Sequence, residues 1–255
     1  MSTHVFEAAP PAPVEETPAP ARGTAPAPLD ELDLFALGRR AADARGAHLG
    51  RRGSFVRTRQ LVAGGEWRGP RDAALGYVDE ADLDAAGGVS AAASAGAGLL
   101  VASQDVALVE PARAAGLLVV WRIPFSNGEP DAARTARLDA LAAVAPQVWG
   151  LCPTPAGEPY GLDALRMFAL CRLARPEVPH LLSDVAALGP RLAQMAFGFG
   201  ADELWGPIVA ERALRLGANA NNPALTRREA ATLIRGAGLT PCERLANGEL
   251  EEVTP

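Results

Sequence analysis

The chain has no lysine; every cationic side chain apart from its three histidines is arginine. Schiff-base chemistry on a lysine amine and a Gly-Lys-Ser/Thr phosphate loop both need an amine on a flexible stem, so both are excluded. A coding bias toward Arg, Ala, Gly and Pro accounts for the missing lysine without invoking function. Cysteine is scarce as well. Cys152, Cys171 and Cys242 are too few and too scattered for a disulfide framework and read as thiols of a reducing cytoplasm. With only His4, His48 and His180 and no ligand spacing around them, no metal centre is expected. Long apolar runs are missing too. The longest, near 96–102 and 115–121, fall far short of the ~20 residues a membrane span needs. A formal charge of −6 leaves no basic footprint for nucleic acid. No cationic start followed by an apolar stretch marks a secretory leader. The expectation is a soluble cytoplasmic protein with no nucleic-acid or membrane partner.

Residues 1–28 are dominated by Pro and Ala, which bury little and break helices, so they read as a disordered tail. A single domain is expected over 29–255. Asp30 is placed to cap a helix running to about Ala47, with Leu34, Leu37, Gly38 and Ala41 on one buried face. Strands are expected at 54–61, 98–103, 117–123, 147–152, 180–184 and 201–205. Helices are expected near 106–115, 131–143, 162–174 and 190–197. Strand, helix, strand at this spacing demands parallel pairing through right-handed crossovers. About six such units predict an α/β fold, a partial or full TIM-type barrel, with a doubly wound open sheet as the alternative. Thr226 and Glu229 form a capping box ahead of the apolar face Ala230, Leu233, Ile234 and Ala237, and Gly238 stops that helix.

In a parallel barrel, reacting groups sit at and beyond the C-terminal ends of strands. Arg122 follows an apolar strand and is suited to clamp a carboxylate, and Glu129 to hold a ribose diol or act as a base. His180 and Asp202, at two further strands, are suited to polar contacts with a substrate. Cys152 follows an apolar run with no histidine near it and reads as a small buried hydrophobe. Two other motifs lack context. Ser94 in Ala-Ala-Ser-Ala-Gly precedes an apolar strand instead of following one, and Gly96-Ala-Gly98 has no third glycine for a dinucleotide loop.

The stretch from Gly161 to Arg244 carries a longer pattern. A leading helix with Gly161, Leu162, Leu165, Ala169, Arg172 and Leu173 is followed by Pro179-His180. Then come Leu188-Gly-Pro-Arg191 with Ala193 and Gln194, and Phe199-Gly-Ala-Asp202 with Leu204 and Gly206. Leu225-Thr226, Glu229, Ile234-Arg235, Ala237-Gly238, Pro241 and Glu243-Arg244 close it. This order resembles the radical-SAM enzymes of the menaquinone futalosine pathway: aminofutalosine synthase, its cyclase relative and FO synthase. Weaker likeness covers 34–61 and 116–129. The resemblance implies a barrel, a [4Fe–4S] cluster and S-adenosylmethionine, and it adds Gln194 to the residues that touch substrate. The chain departs from the pattern where the family carries a Cys-x3-Cys-x2-Cys loop, just after Arg59-Gln-Leu61. There it reads Val-Ala-Gly-Gly-Glu-Trp-Arg-Gly, with no thiolate to hold a cluster. Val185 and Trp205 also replace an aromatic and an acidic residue of the pattern. The sequence therefore predicts a degenerate member with no bound cofactor and no radical turnover. It would serve as a binding or partner subunit, engaging a cluster-bearing homologue, a second copy of itself or an adenosine-like molecule. The alternative is a barrel enzyme using acid–base chemistry on a futalosine-type or other small carboxylate or nucleoside substrate.

Overall fold

The computed structural model describes residues 29–210 and 224–254, so the expected tail at 1–28 lies outside the described residues. A short 3-10 turn at Leu29–Glu31 precedes α1 (Leu34–Leu49). The helix is capped by Asp33, not Asp30: the Asp33 carboxylate accepts the Phe35 and Ala36 N–H groups, each at 2.9 Å. Leu37, Gly38 and Ala41 form its buried face as the spacing predicts, while Leu34, expected on the same face, is only half-buried.

The first strand runs in two segments, β1 (Arg52–Phe55) and β2 (Thr58–Val62). β3 (Glu66–Arg68) turns back on β2 as an antiparallel hairpin, and β4 (Leu75–Asp79) then pairs parallel to β2. After β4 come α2 (Glu80–Leu83), α3 (Val89–Ser94), β5 (Leu99–Ala102), α4 (Val109–Ala114), β6 (Leu118–Phe125), α5 (Asp131–Asp139) and β7 (Gly150–Pro155). They continue with α6 (Gly161–Ala174), β8 (His180–Asp184), α7 (Val185–Leu188), α8 (Pro190–Ala196), β9 (Glu203–Trp205) and β10 (Ile208–Val209). β11 (Leu225–Thr226), α9 (Arg227–Gly236), β12 (Thr240–Arg244) and β13 (Leu250–Glu252) finish the described chain.

β4 through β9 pair in sequence order, each parallel to the next. β4 lies on the C-terminal segment of the first strand, and β9 on its N-terminal segment. The ladder therefore leaves and returns to the same strand, which curls the sheet into a partial barrel. Packing decides against the doubly wound alternative. The buried helix residues, among them Leu37, Val109, Leu138, Phe168, Ala193 and Ile234, all share one cluster with outward strand residues such as Phe55, Leu100, Ile123 and Leu204. The other sheet face carries its own cluster, with no helix residue in it: Val56, at the break in the first strand, with Leu99, Val101, Val120, Cys152, Leu182 and Trp205. Helices thus cover only the outside.

Two helices report how local chemistry serves this wall. α6 is buried on nearly every side because α1 packs over it. The capping box at α9 forms as predicted: Thr226 Oγ1 accepts Glu229 N–H at 3.2 Å, and the Glu229 carboxylate accepts Thr226 N–H at 2.8 Å. Thr226→Ala is expected to cost about 1 kcal/mol, seen as a lower urea midpoint with the slope unchanged. An unmoved midpoint would show that the cap contributes nothing here. Among the described residues, no helix is long and apolar enough to cross a membrane.

Candidate functional site

Side chains two apart on a strand share a face, so the inner cluster fixes which other residues look into the barrel. Three layers follow. At the N-terminal ends of the strands lie Ser54, His180 and Glu203. The apolar cluster fills the middle. At the C-terminal ends lie Asp79, Arg122 and Asp184.

The lower layer is a buried ionic network. Asp202, just before β9, accepts from the Arg172 guanidinium, from Leu181 N–H at 2.6 Å and from His180 Nδ1 at 2.8 Å. The bond to Asp202 assigns the Nδ1 proton, which leaves His180 Nε2 facing Arg244 at 3.4 Å as acceptor. Arg244 in turn donates to Glu203 at 2.7 Å and lies over the Trp149 ring, 5.1 Å from its centre. Ser54 donates to the same Glu203 oxygen at 2.8 Å, and Trp149 packs on the His180 ring with 4.6 Å between centres. Arg172, Asp202 and Glu203 are all buried. Such an arrangement seals the barrel floor and ties α6, β8, β9 and β12 together.

The middle layer closes the lumen. Trp205 stands edge-on to Tyr77, ring centres 5.3 Å apart, within the inner apolar cluster. Burial pushes the Cys152 thiol up to about 12, so it carries no thiolate at neutral pH.

The upper layer is the one polar rim at the ends where barrel chemistry is expected. Arg122 is bound to Asp79. Asp79 also caps α2 through Ala81 N–H at 3.3 Å, and Asp184 caps α7 through Ala186 N–H at 2.8 Å. The Tyr77 hydroxyl donates to Gln60 Oε1 at 3.2 Å, and Gln60 Nε2 donates to Asp82 at 3.0 Å. Burial lifts the Asp184 carboxyl above the ordinary range, the backbone N–H bonds and Arg122 offsetting only part of it. Burial also pushes the Tyr77 phenol up to about 12, with Asp79, Asp184 and Asp82 adding to it. Burial alone lowers the Arg122 pKa; the Asp79 carboxylate outweighs it, so the guanidinium stays charged.

The residues expected from sequence fall in four places. Arg122 reaches the rim, but its guanidinium already has a carboxylate. Glu129 sits in the loop after β6 and pairs with Arg137, which lowers its pKa. His180 and Asp202 meet each other, at the floor and not at the mouth. Gln194, on α8, donates to the Leu233 carbonyl at 2.9 Å and joins α8 to α9. Gln60, Tyr77, Asp79 and Asp184 escaped sequence reasoning. Asp184 ended an expected strand and was findable; Asp79 and Tyr77 were not, because the strand carrying them went unpredicted.

The cluster that the resemblance implies finds no ligand set in these residues. Where its loop is expected, the β2–β3 hairpin stands, with Arg59 stacked on Trp67 at 4.3 Å from the ring centre. Cys152 faces the lumen, Cys171 lies on α6 in the outer core and Cys242 lies on β12. All three are buried, and burial raises the pKa of each. Thiols on opposite faces of one sheet cannot ligate a common [4Fe–4S] cluster. Among the described residues, no three His, Cys, Asp or Glu side chains gather as a metal site requires.

No protein-family model matches the chain. It is 37% identical to the aminodeoxyfutalosine synthase of Thermus thermophilus over 84 residues, which is 33% of this chain and 23% of that protein. With the aminodeoxyfutalosine synthase of Streptomyces coelicolor it shares 35% identity over 91 residues, 35% of this chain and 24% of the other. A 5-amino-6-(D-ribitylamino)uracil–L-tyrosine 4-hydroxyphenyl transferase of Methanosarcina barkeri is 34% identical over 85 residues, 33% of this chain and 23% of its own. The match thus spans about a quarter of the length of each of these relatives. Among solved structures, methylornithine synthase superposes with a TM-score of 0.62 at 10% identity, covering 84% of this chain and 91% of its own. The [FeFe]-hydrogenase maturase HydG gives 0.58 at 9% identity, covering 84% and 70%. At such identities these two establish the fold and nothing finer. Over a third of its length the chain is similar in sequence to aminodeoxyfutalosine synthases, and over most of it the fold is that of methylornithine synthase.

Proposed function

We propose that this chain is a cluster-less relative of those enzymes, acting as a binding or partner subunit without radical catalysis of its own. The observation that carries the reading is the replacement of the cysteine loop by the β2–β3 hairpin, with the only three thiols of the chain buried on separate elements. Reductive cleavage of S-adenosylmethionine needs an iron site open to the amino acid moiety, and these residues supply none. What is kept is the scaffold. The glycines, helix caps and ionic floor that match the family pattern all hold the barrel together.

The polar rim at the C-terminal ends of the strands is then the ligand site, because it sets the partly exposed Arg122 and Asp79 over a dry wall. The protein, freed of iron, is expected to bind aminodeoxyfutalosine saturably at one site in a calorimetric titration, and Arg122→Gln to weaken that binding about tenfold. Absence of any saturable heat with the folded protein would contradict the ligand half of the proposal.

A further inference from the structure

Six large apolar side chains stand exposed among the described residues, and four of them gather in one place. Phe35, Tyr160, Leu162 and Met195, each more than half exposed, lie at the starts of α1 and α6 and along α8. Three contacts hold these elements side by side. Leu192 Cδ1 comes to 3.8 Å from the point where a side chain on Gly161 would begin, which joins α8 to the start of α6. Arg166, one turn beyond Leu162, donates to the Leu32 carbonyl at 3.1 Å, which joins α6 to the approach to α1. The Phe199 ring lies against Gly38. Phe35 is three residues before Gly38, and Met195 four before Phe199. Because α1 and α8 lead into the parallel strands β1 and β9, both side chains step one turn toward the same end from that contact. A groove of about 570 Å³ opens beside them, between the lead-in to α6 and the α7–α8 corner, with Leu188, Leu192 and Met195 along it. Single exposed apolar residues are ordinary, but a contiguous group with two aromatics and a methionine has the make-up of an interface core.

The charges around the groove say what fits it. Glu158 stands on its α6 wall and Arg191 on its α8 wall, both exposed. Neither has an ion-pair partner among the described residues. One negative wall facing one positive wall is self-complementary under a two-fold axis, where residue i of one copy meets residue j of the other and j meets i. An occupant of a single charge sign would satisfy only one wall. We propose that the chain forms a two-fold dimer through this face, with the apolar residues at its core and Glu158 of each copy against Arg191 of the other. The association does not depend on the rim or on what the rim binds, so either can fail alone.

The test is sedimentation equilibrium of the full chain at tens of micromolar, where an interface of ordinary size is populated. The expected mass is twice the 26.4 kDa of one chain. Met195→Arg puts a charge into the apolar core of the interface and is expected to leave monomer. Its circular dichroism should be unchanged, because Met195 is exposed within one chain. Glu158→Arg and Arg191→Glu each set like charges opposite one another twice, and each is expected to weaken the dimer at least about tenfold. Combining the two restores both pairs with their signs exchanged, and the dimer should return to within about threefold of wild type. A monomeric wild type overturns the proposal. So does a dimer indifferent to Met195→Arg, or a charge-swapped double variant as weak as the single ones. A monomeric wild type that binds purified aminodeoxyfutalosine synthase, and loses it on Met195→Arg, gives the face to that homologue and not to a second copy.

Discussion

Arg172→Ala is expected to destabilise the protein by about 3–5 kcal/mol, the cost of leaving a buried carboxylate without its cation. Asp202, 1% exposed, would keep His180 and the Leu181 N–H but lose the guanidinium. The same substitution strips donors from the Gly200 carbonyl at 3.0 Å and the Pro179 carbonyl at 3.2 Å. One side chain thus fastens α6 to the approaches of β8 and β9. Arg172→Lys should recover little, because a single ammonium cannot serve three directions as the planar fork does. Urea denaturation of wild type, Arg172→Ala and Arg172→Lys measures this directly. A loss below about 1 kcal/mol would mean that the floor behaves as a surface ion pair.

Trp205→Ala should cost about 3–5 kcal/mol as well, by a different route. Trp205 is buried among Val56, Leu99, Val101, Val120, Cys152 and Leu182, and its removal takes away a large transfer term and leaves a cavity in the lumen. The barrel wall cannot collapse to fill it, because its strands are held in register by the ladder. Trp205→Phe should recover most of the loss. A small effect of Trp205→Ala would show that the lumen is not packed shut.

How far the sequence reaches can be read from single elements. His180–Asp184 has the bounds its apolar run predicts, and the capping box of Thr226 and Glu229 forms as written, because both signals are local. The first strand was expected as one piece. It breaks between Phe55 and Thr58, where its partners change from β9 and β12 to β3 and β4, and no local residue pattern encodes a change of neighbours. Leu75–Asp79 and the β2–β3 hairpin were missed inside a Gly-rich, charged stretch whose strands exist only by pairing. The site suffered the same limit. His180 and Asp202 stood out as polar residues on strands, but position along a strand separates floor from mouth, and both lie at its beginning. Glu129 and Gln194 have partners on other turns and helices, Arg137 and Leu233, that consume the groups sequence offered to a ligand.

This fold is proposed to work without an iron–sulfur cluster. Anaerobic incubation with iron and sulfide, followed by gel filtration, visible absorbance and assay of methionine released from S-adenosylmethionine under a strong reductant, tests it most directly. The account predicts protein that elutes without stoichiometric iron, lacks the broad absorbance of a [4Fe–4S] cluster and releases no methionine above a protein-free control. Four iron atoms per chain, with methionine release lost on replacing Cys152, Cys171 or Cys242, would contradict it.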